Sequence, residues 1–293
     1  MAKFLFSLAA VLLALSYGYG YSQGIKPAAK HRLRFGLTAV ALEYDLATHK
    51  KLVNLLEKSL GIPIDTVYRK SYQEMSSLLE SESVDVAFVC GLPYTLDHDK
   101  FGLELLVTPV LNNRPMYQSF LIVSRESGYA SLEDLRGKVF AFSDPLSNSG
   151  FLVPVYYLSR MKETPETFFR TFFFSYSHAN SIEAVASHLA DGAYVDSYVW
   201  ETVSKMHPKI TAETKIIHKS DYMPFTPFVV RPGLDNSIKS RLKEFFLALH
   251  NDPAGREVLK LMAIEKFAQM KDSDYDSIRK MRKTVSYTKA PAR

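Results

Sequence analysis

From residue 32 onward, strand-like and helix-like stretches alternate, told apart by the spacing of their apolar positions. Residues 32–38 (RLRFGLT) read as a strand. Residues 44–60 place Leu46, Leu52, Leu55, Leu56 and Leu60 at helical intervals and stop at Gly61. A second strand, 64–69, and a second helix, 72–82, follow. Residues 84–90 form a continuous apolar run broken only by Asp85 near its entry, the signature of a strand buried on both faces. Further strands are expected at 105–109 and 117–124. This β-α-β-α-β order with short connections predicts an α/β layered fold with a largely parallel sheet.

The pattern restarts after Gly128. A short Ser-capped helix at 131–137 leads to a strand at 138–142, a helix at 150–161, a strand at 171–175, a helix at 182–190 and a strand at 193–198. A helix at 199–206 and strands at 215–219 and 225–231 complete this half. Residues 237–250 and 255–267 carry strong helical apolar faces. Two α/β units with no Gly/Ser-rich linker between them predict two lobes, and the strands at 117–124 and 225–231 predict that the chain crosses between the lobes twice. A doubly connected pair of lobes is suited to hinge closure on a ligand.

Composition changes this picture little. The chain has 293 residues, 47% hydrophobic and 23% charged, which excludes a disordered chain and suggests about two domains. A formal charge of +5 invites a nucleic-acid or membrane-surface reading. However, residues 24–270 balance 28 basic against 28 acidic side chains. The excess lies in Lys3 and in a basic C-terminal tail, 271–293, with seven Lys/Arg against three Asp. Nucleic-acid binding loses its basis. The first 23 residues combine Lys3, an apolar run from Phe4 to Leu15 and a Gly/Ser-rich exit, as in a secretory signal peptide. That run is too short to span a bilayer. A periplasmic, soluble product is expected. One cysteine, Cys90, permits no internal disulfide and reads as a small buried hydrophobe.

The segment richest in chemistry is 137–154, GKVFAFSDPLSNSGFLVP: a strand, a polar turn and a helix. The first turn of a helix has N–H groups without internal partners and carries partial positive charge. Ser147, Asn148 and Ser149 add side-chain donors, and Gly150 leaves room for a ligand to approach the backbone. This makes a site for a tetrahedral oxyanion without Lys or Arg. Ser and Asn are also favoured helix caps, so the turn alone leaves an anion site and ordinary capping both open. Pro154 should disturb the helical hydrogen-bond ladder.

Residues 139–154 resemble the phosphonate-type (phosphate/phosphite/phosphonate) periplasmic substrate-binding proteins of ABC importers. The resemblance extends to Tyr44 at the first helix, VDVAFVCGLPY at 84–94, Tyr117-Gln118-Ser119, SLEDLRGK at 131–138, Ser177-His178 and DGAYVDSYVW at 191–200. It implies a two-lobed, Venus-flytrap (type II) fold with two strand crossovers. Lobe I would comprise 30–118 and 222–270, and lobe II 119–221. It also implies a phosphorus oxyanion held by Ser147, Asn148 and Ser149, faced by His178, with Tyr44 and Tyr94 closing from the opposite lobe. Asn148 stands where the family commonly has Thr. Asp196 is a further ligand candidate, able to pair with a cationic substituent or to end its strand through a backbone bond. A protonated His178 would assist anion binding below about pH 6.5.

The function expected is therefore capture of phosphate, phosphite or a small alkylphosphonate for an ABC permease, by a monomer without cofactor or metal. Thr226, where an acid or amide might stand, weighs against an amine-bearing ligand. The same fold serving a signalling partner as a sensor is the alternative. A Ser149/His178/Asp196 hydrolase is the rival chemistry, but no G-x-S-x-G elbow is present. Neither metal-ligand spacing nor a nucleotide-binding glycine motif occurs.

Overall fold

The computed structural model describes residues 32–38 and 46–285. The expected signal peptide and Tyr44 lie outside the described residues. Thirteen strands are found among those described: β1 (Leu33–Leu37), β2 (Ile64–Tyr68), β3 (Val86–Phe88), β4 (Glu104–Val110), β5 (Met116–Tyr117), β6 (Ser119–Ser124), β7 (Val139–Phe142), β8 (Thr171–Phe174), β9 (Gly192–Asp196), β10 (Thr214–Lys219), β11 (Met223–Pro224), β12 (Phe228–Val230) and β13 (Lys266–Ala268). They build one sheet of order β13-β4-β12-β3-β1-β2 and another of order β10-β6-β9-β7-β8.

Each sheet is mixed rather than largely parallel. The βαβ units give parallel pairs, β1 with β2 and β3, and β7 with β8 and β9. The strand that carries the chain into the second sheet, β6, runs against β9, and β10 runs against β6; in the other sheet β12 runs against β3 and β4. A crossover strand arrives from the opposite direction, so antiparallel pairing follows from the double connection. The two crossings lie side by side as the short pair β5–β11, with Tyr117 opposite Met223. Gln118 Nε2 donates to the Ser220 carbonyl, and Ser119 N donates to Ser220 Oγ, tying the crossings further.

Central strands are buried throughout, including all of β3, β6 and β9. Asp85, the one charge in the first apolar run, is fully buried but clamped by Arg34 and Arg231 at 3.0 and 2.8 Å. That pairing makes burial of its carboxylate tolerable.

Two elements depart from expectation. Residues 91–101, opening with Gly-Leu-Pro, form a helix (Gly91–Phe101). Residues 271–285 are no solvated tail: a 3-10 turn, Asp272–Tyr275, precedes a helix, Asp276–Thr284, and both Tyr275 and Ile278 are fully buried. The Tyr275 hydroxyl donates to the Phe225 carbonyl (2.8 Å), and Ile278 sits so close to Gly91 that a Cβ there would lie 2.6 Å from it. Arg279 pairs with Asp99, Asp272 and Asp276, and Arg282 with Asp99. The helix packs on Gly91–Phe101 and on Val153–Arg160, one from each lobe. Its apolar stripe and these ion pairs explain why basic residues dock instead of remaining in solvent.

Candidate functional site

The strand β7 ends at Phe142 and delivers the turn beginning at Ser143. Asp144 Oδ1 accepts from Leu146 N (2.7 Å), which curls the chain, and Ser147 then caps the following helix. The first turn is wide. Leu152 N reaches back five residues to the Ser147 carbonyl, and Val153 N to that of Asn148, so Asn148–Leu152 is π-helical before the α-helix Val153–Arg160 begins. Pro154 supplies the reason: without an N–H it cannot bond the Gly150 carbonyl, which accepts from Ser143 N instead (3.4 Å). Gly150 is needed because a Cβ there would fall 1.9 Å from Ser143 Oγ and 3.0 Å from His178 Cε1. The space expected for a ligand over that glycine is filled by Ser143 and His178.

His178 opens the helix His178–Ala186, four residues earlier than the apolar spacing suggests. Its Nδ1 accepts from the Asp196 backbone N–H (3.2 Å), so the ring proton is on Nε2, which lies 3.4 Å from Ser147 Oγ. Ser147 Oγ thus accepts from both His178 and Gly150 N, leaving its own proton to donate onward. Burial pulls the imidazole pKa down to about 3. The expected protonated histidine is corrected accordingly: His178 is neutral at any physiological pH and positions Ser147 rather than supplying charge.

Asn148 ties the turn to the crossings. Its Nδ2 donates to the Tyr117 hydroxyl (2.9 Å) and contacts Met223 Sδ (3.3 Å), while its backbone N–H donates to Cys90 Sγ across the lobes (3.3 Å). Turning the carboxamide end for end keeps the Tyr117 bond, with the phenol donating to Oδ1, and presents Nδ2 as a further donor. Asp196 ends β9; its Oδ1 caps the helix Ser197–Met206 by accepting from Tyr198 N (2.8 Å) and Val199 N (3.4 Å). Its burial pushes its carboxyl up to about 7 against those two bonds.

Five buried side-chain atoms here have no hydrogen-bond partner among the described residues: Ser143 Oγ, Asn148 Oδ1, Ser149 Oγ, Asp196 Oδ2 and Thr226 Oγ1. Ser149 and Asp196 share a neighbour. Ser119 Oγ donates to the Ser149 carbonyl, and Ser119 is the ladder partner of Asp196. Thr226 follows Phe225, whose ring meets Tyr117 and Tyr198 edge-on at 5.6 and 5.4 Å. Among the described residues no Lys or Arg bonds to any of these groups.

The structure therefore brings Ser147, Asn148, Ser149, His178 and Asp196 together. Tyr94 is a correction. Its hydroxyl donates to Asp272 Oδ1 (2.8 Å) and its ring packs edge-on against Tyr275, so it is committed to the C-terminal segment, not to the turn. Ser143, Tyr117 and Thr226 join the site without having been singled out as ligand groups. Cys90 is buried, as expected, with its thiol pushed up to about 12, and its sulfur also accepts across the lobes. Among the described residues no His, Cys, Asp and Glu side chains cluster as a metal site.

A family model described as ABC transporter, phosphonate, periplasmic substrate-binding protein matches residues 35–275. The phosphonates-binding periplasmic protein of Escherichia coli is 27% identical over 256 residues, 85% of this chain and 75% of that protein. The phosphate-import protein PhnD of Mycolicibacterium smegmatis is 25% identical over 211 residues, 68% and 66% of the two chains. Among solved structures, a binding-protein component of an ABC phosphonate transporter from Pseudomonas aeruginosa superposes with a TM-score of 0.81 at 25% identity, covering 86% of each chain. PhnD1 from Prochlorococcus marinus, solved with methylphosphonate, gives 0.76 at 18% identity over 86% and 97%. The mixed two-sheet architecture is that of the two-lobed periplasmic binding proteins. With most of its length matched by the family model, the chain belongs to the phosphonate-type periplasmic substrate-binding proteins of ABC transporters, which capture a small ligand for import.

Proposed function

We propose that the ligand is a small phosphorus oxyanion, namely phosphate, phosphite or a short alkylphosphonate, held by Ser143, Ser147, Asn148, Ser149, Asp196 and Thr226 and released to an ABC permease. The observation that carries this reading is the set of five buried, unpartnered polar atoms around a helix N-terminus without a cationic side chain. Leaving a buried polar group unpaired costs about 1–3 kcal/mol. A compact tetrahedral ligand with oxygens on several sides supplies partners to several of them at once. Neutral donors and a helix terminus suffice for such an anion. Names of relatives point the same way, being those of phosphonate- and phosphate-binding proteins. Tyr44 is retained as a contact from the first lobe on the family resemblance.

Geometry disfavours covalent chemistry. A catalytic triad needs a carboxylate accepting from His Nδ1–H. Here Nδ1 is itself the acceptor, from the Asp196 amide, and Nε2 faces Ser147 rather than Ser149. The protein acts as an exported monomer, binding and releasing its ligand unchanged.

A thermal-shift panel with phosphate, phosphite, methylphosphonate, 2-aminoethylphosphonate and sulfate tests this. At least one phosphorus oxyanion should raise the melting temperature, as a ligand at a hundred times its Kd adds about 2.7 kcal/mol. No response to any of them would overturn the assignment.

A further inference from the structure

Most of the unpartnered groups are hydroxyls that can donate to an oxyanion, but Asp196 Oδ2 cannot unless it carries a proton. Its partner oxygen is already spent on capping the helix Ser197–Met206. A fully deprotonated oxyanion beside an ionised Asp196 would set acceptor against acceptor, with no Lys or Arg among the described residues bonded to the cluster to offset the charge. One proton must lie between them.

We propose that Asp196 couples ligand capture to proton uptake: its free Oδ2 and one oxygen of the bound oxyanion share a single proton, so a protein whose Asp196 is ionised takes up that proton when it binds a dianion. This rests on the oxyanion reading above and adds a regulation of the same site.

The other titratable groups around Asp196 cannot take that role. His178 meets its backbone, but Nδ1 is occupied by the Asp196 N–H, and protonating it would set N–H against N–H. Cys90, Tyr117 and Tyr198 are buried and already protonated, each pushed upward chiefly by burial. Glu201, one turn along the helix from the cap, adds repulsion that further disfavours an ionised Asp196. Asp196 is the one of these groups whose charge changes near neutrality, and it faces the site with a whole oxygen free.

Titration calorimetry of the full chain with methylphosphonate, in two buffers of different ionisation heat at about pH 8 and about pH 9, tests the inference. The wild type should take up about one proton per ligand, and Kd should rise about tenfold between the two pH values. Asp196→Asn keeps an oxygen for the helix cap and turns an NH2 toward the site. It should bind with no proton uptake and with Kd changing less than about twofold over the same interval. Wild-type binding without proton uptake overturns the proposal and leaves the oxyanion reading standing. An unchanged slope in Asp196→Asn overturns it too. Binding of 2-aminoethylphosphonate more than tenfold tighter than methylphosphonate, with the preference lost in Asp196→Asn, would make Asp196 an ammonium partner and overturn it. Should that variant fail to fold, the wild-type proton count decides alone. Failure of every phosphorus oxyanion to bind between about pH 6 and pH 9 would remove the oxyanion reading, and this inference with it.

Discussion

At the scale of single residues, the site is organised by two buried ionisable groups pushed in opposite directions by the same burial. His178 is held neutral, its folded pKa of about 3 lying below its ordinary 6.5. The unfolded chain therefore binds a proton that the native state refuses, and this group makes stability rise with pH between about 3 and 6.5. Asp196, raised from 3.8 to about 7, does the reverse: its contribution is full in acid and is lost as pH rises through about 4 to 7. Between about pH 4 and 6.5 the two slopes oppose each other. A His178→Gln variant should consequently gain stability relative to the wild type as pH falls from about 6.5 to 4, read by urea unfolding at several pH values; a constant offset would contradict the assigned burial. The serines were legible because a strand, an Asp-Pro turn and Ser-Asn-Ser-Gly form a local pattern, and His178 because Ser177-His178 follows an apolar strand and carries the family resemblance. Ser143 was passed over inside that segment because it precedes the helix cap, and Thr226 was read only as the absence of an amine partner, not as a donor. Tyr94 was misplaced because the sequence gives no sign that Asp272, 178 positions on, would claim its hydroxyl.

At the scale of elements, the informative unit is the wide turn Asn148–Leu152, where Pro154 withholds a hydrogen bond and so directs three successive polar residues inward. Pro154→Ala would restore an N–H able to reach the Gly150 carbonyl and compete with Ser143 N for it. The expected outcome is a variant at least as stable thermally, with ligand affinity weakened about tenfold, or about 1.4 kcal/mol, by calorimetry. Undiminished affinity would show that the π-turn is incidental to binding. Most strands and helices could be read from apolar spacing. The helix Gly91–Phe101 escaped because Gly-Leu-Pro reads as a turn and its apolar residues form no clear stripe. The first two residues of β13 were absorbed into the expected helix 255–267 because Phe267 continues the preceding apolar pattern.

For the whole molecule, two sheets joined by the β5–β11 crossings place the turn of one lobe against Cys90 of the other. The two-lobed plan was legible because the α/β pattern starts twice and the junctions read as strands. Mixed pairing was not, because strand direction depends on which way each crossing enters its sheet. The C-terminal helix was hidden by its charge: seven basic residues in 271–293 suggest solvent, yet Arg279 and Arg282 both find Asp99 on the helix Gly91–Phe101. Selection of an anion by this protein thus owes nothing to its net charge of +5. The central claim is that neutral donors of one helix turn hold a phosphorus oxyanion. Its most direct test is isothermal titration of methylphosphonate, phosphite and phosphate into the wild type and into Ser147→Ala/Ser149→Ala. One-to-one binding of at least one of them is expected, with Kd about 1 μM or tighter, weakened about a hundredfold or more in the double variant while its melting temperature stays close to wild type. Wild-type affinity in the double variant would contradict it.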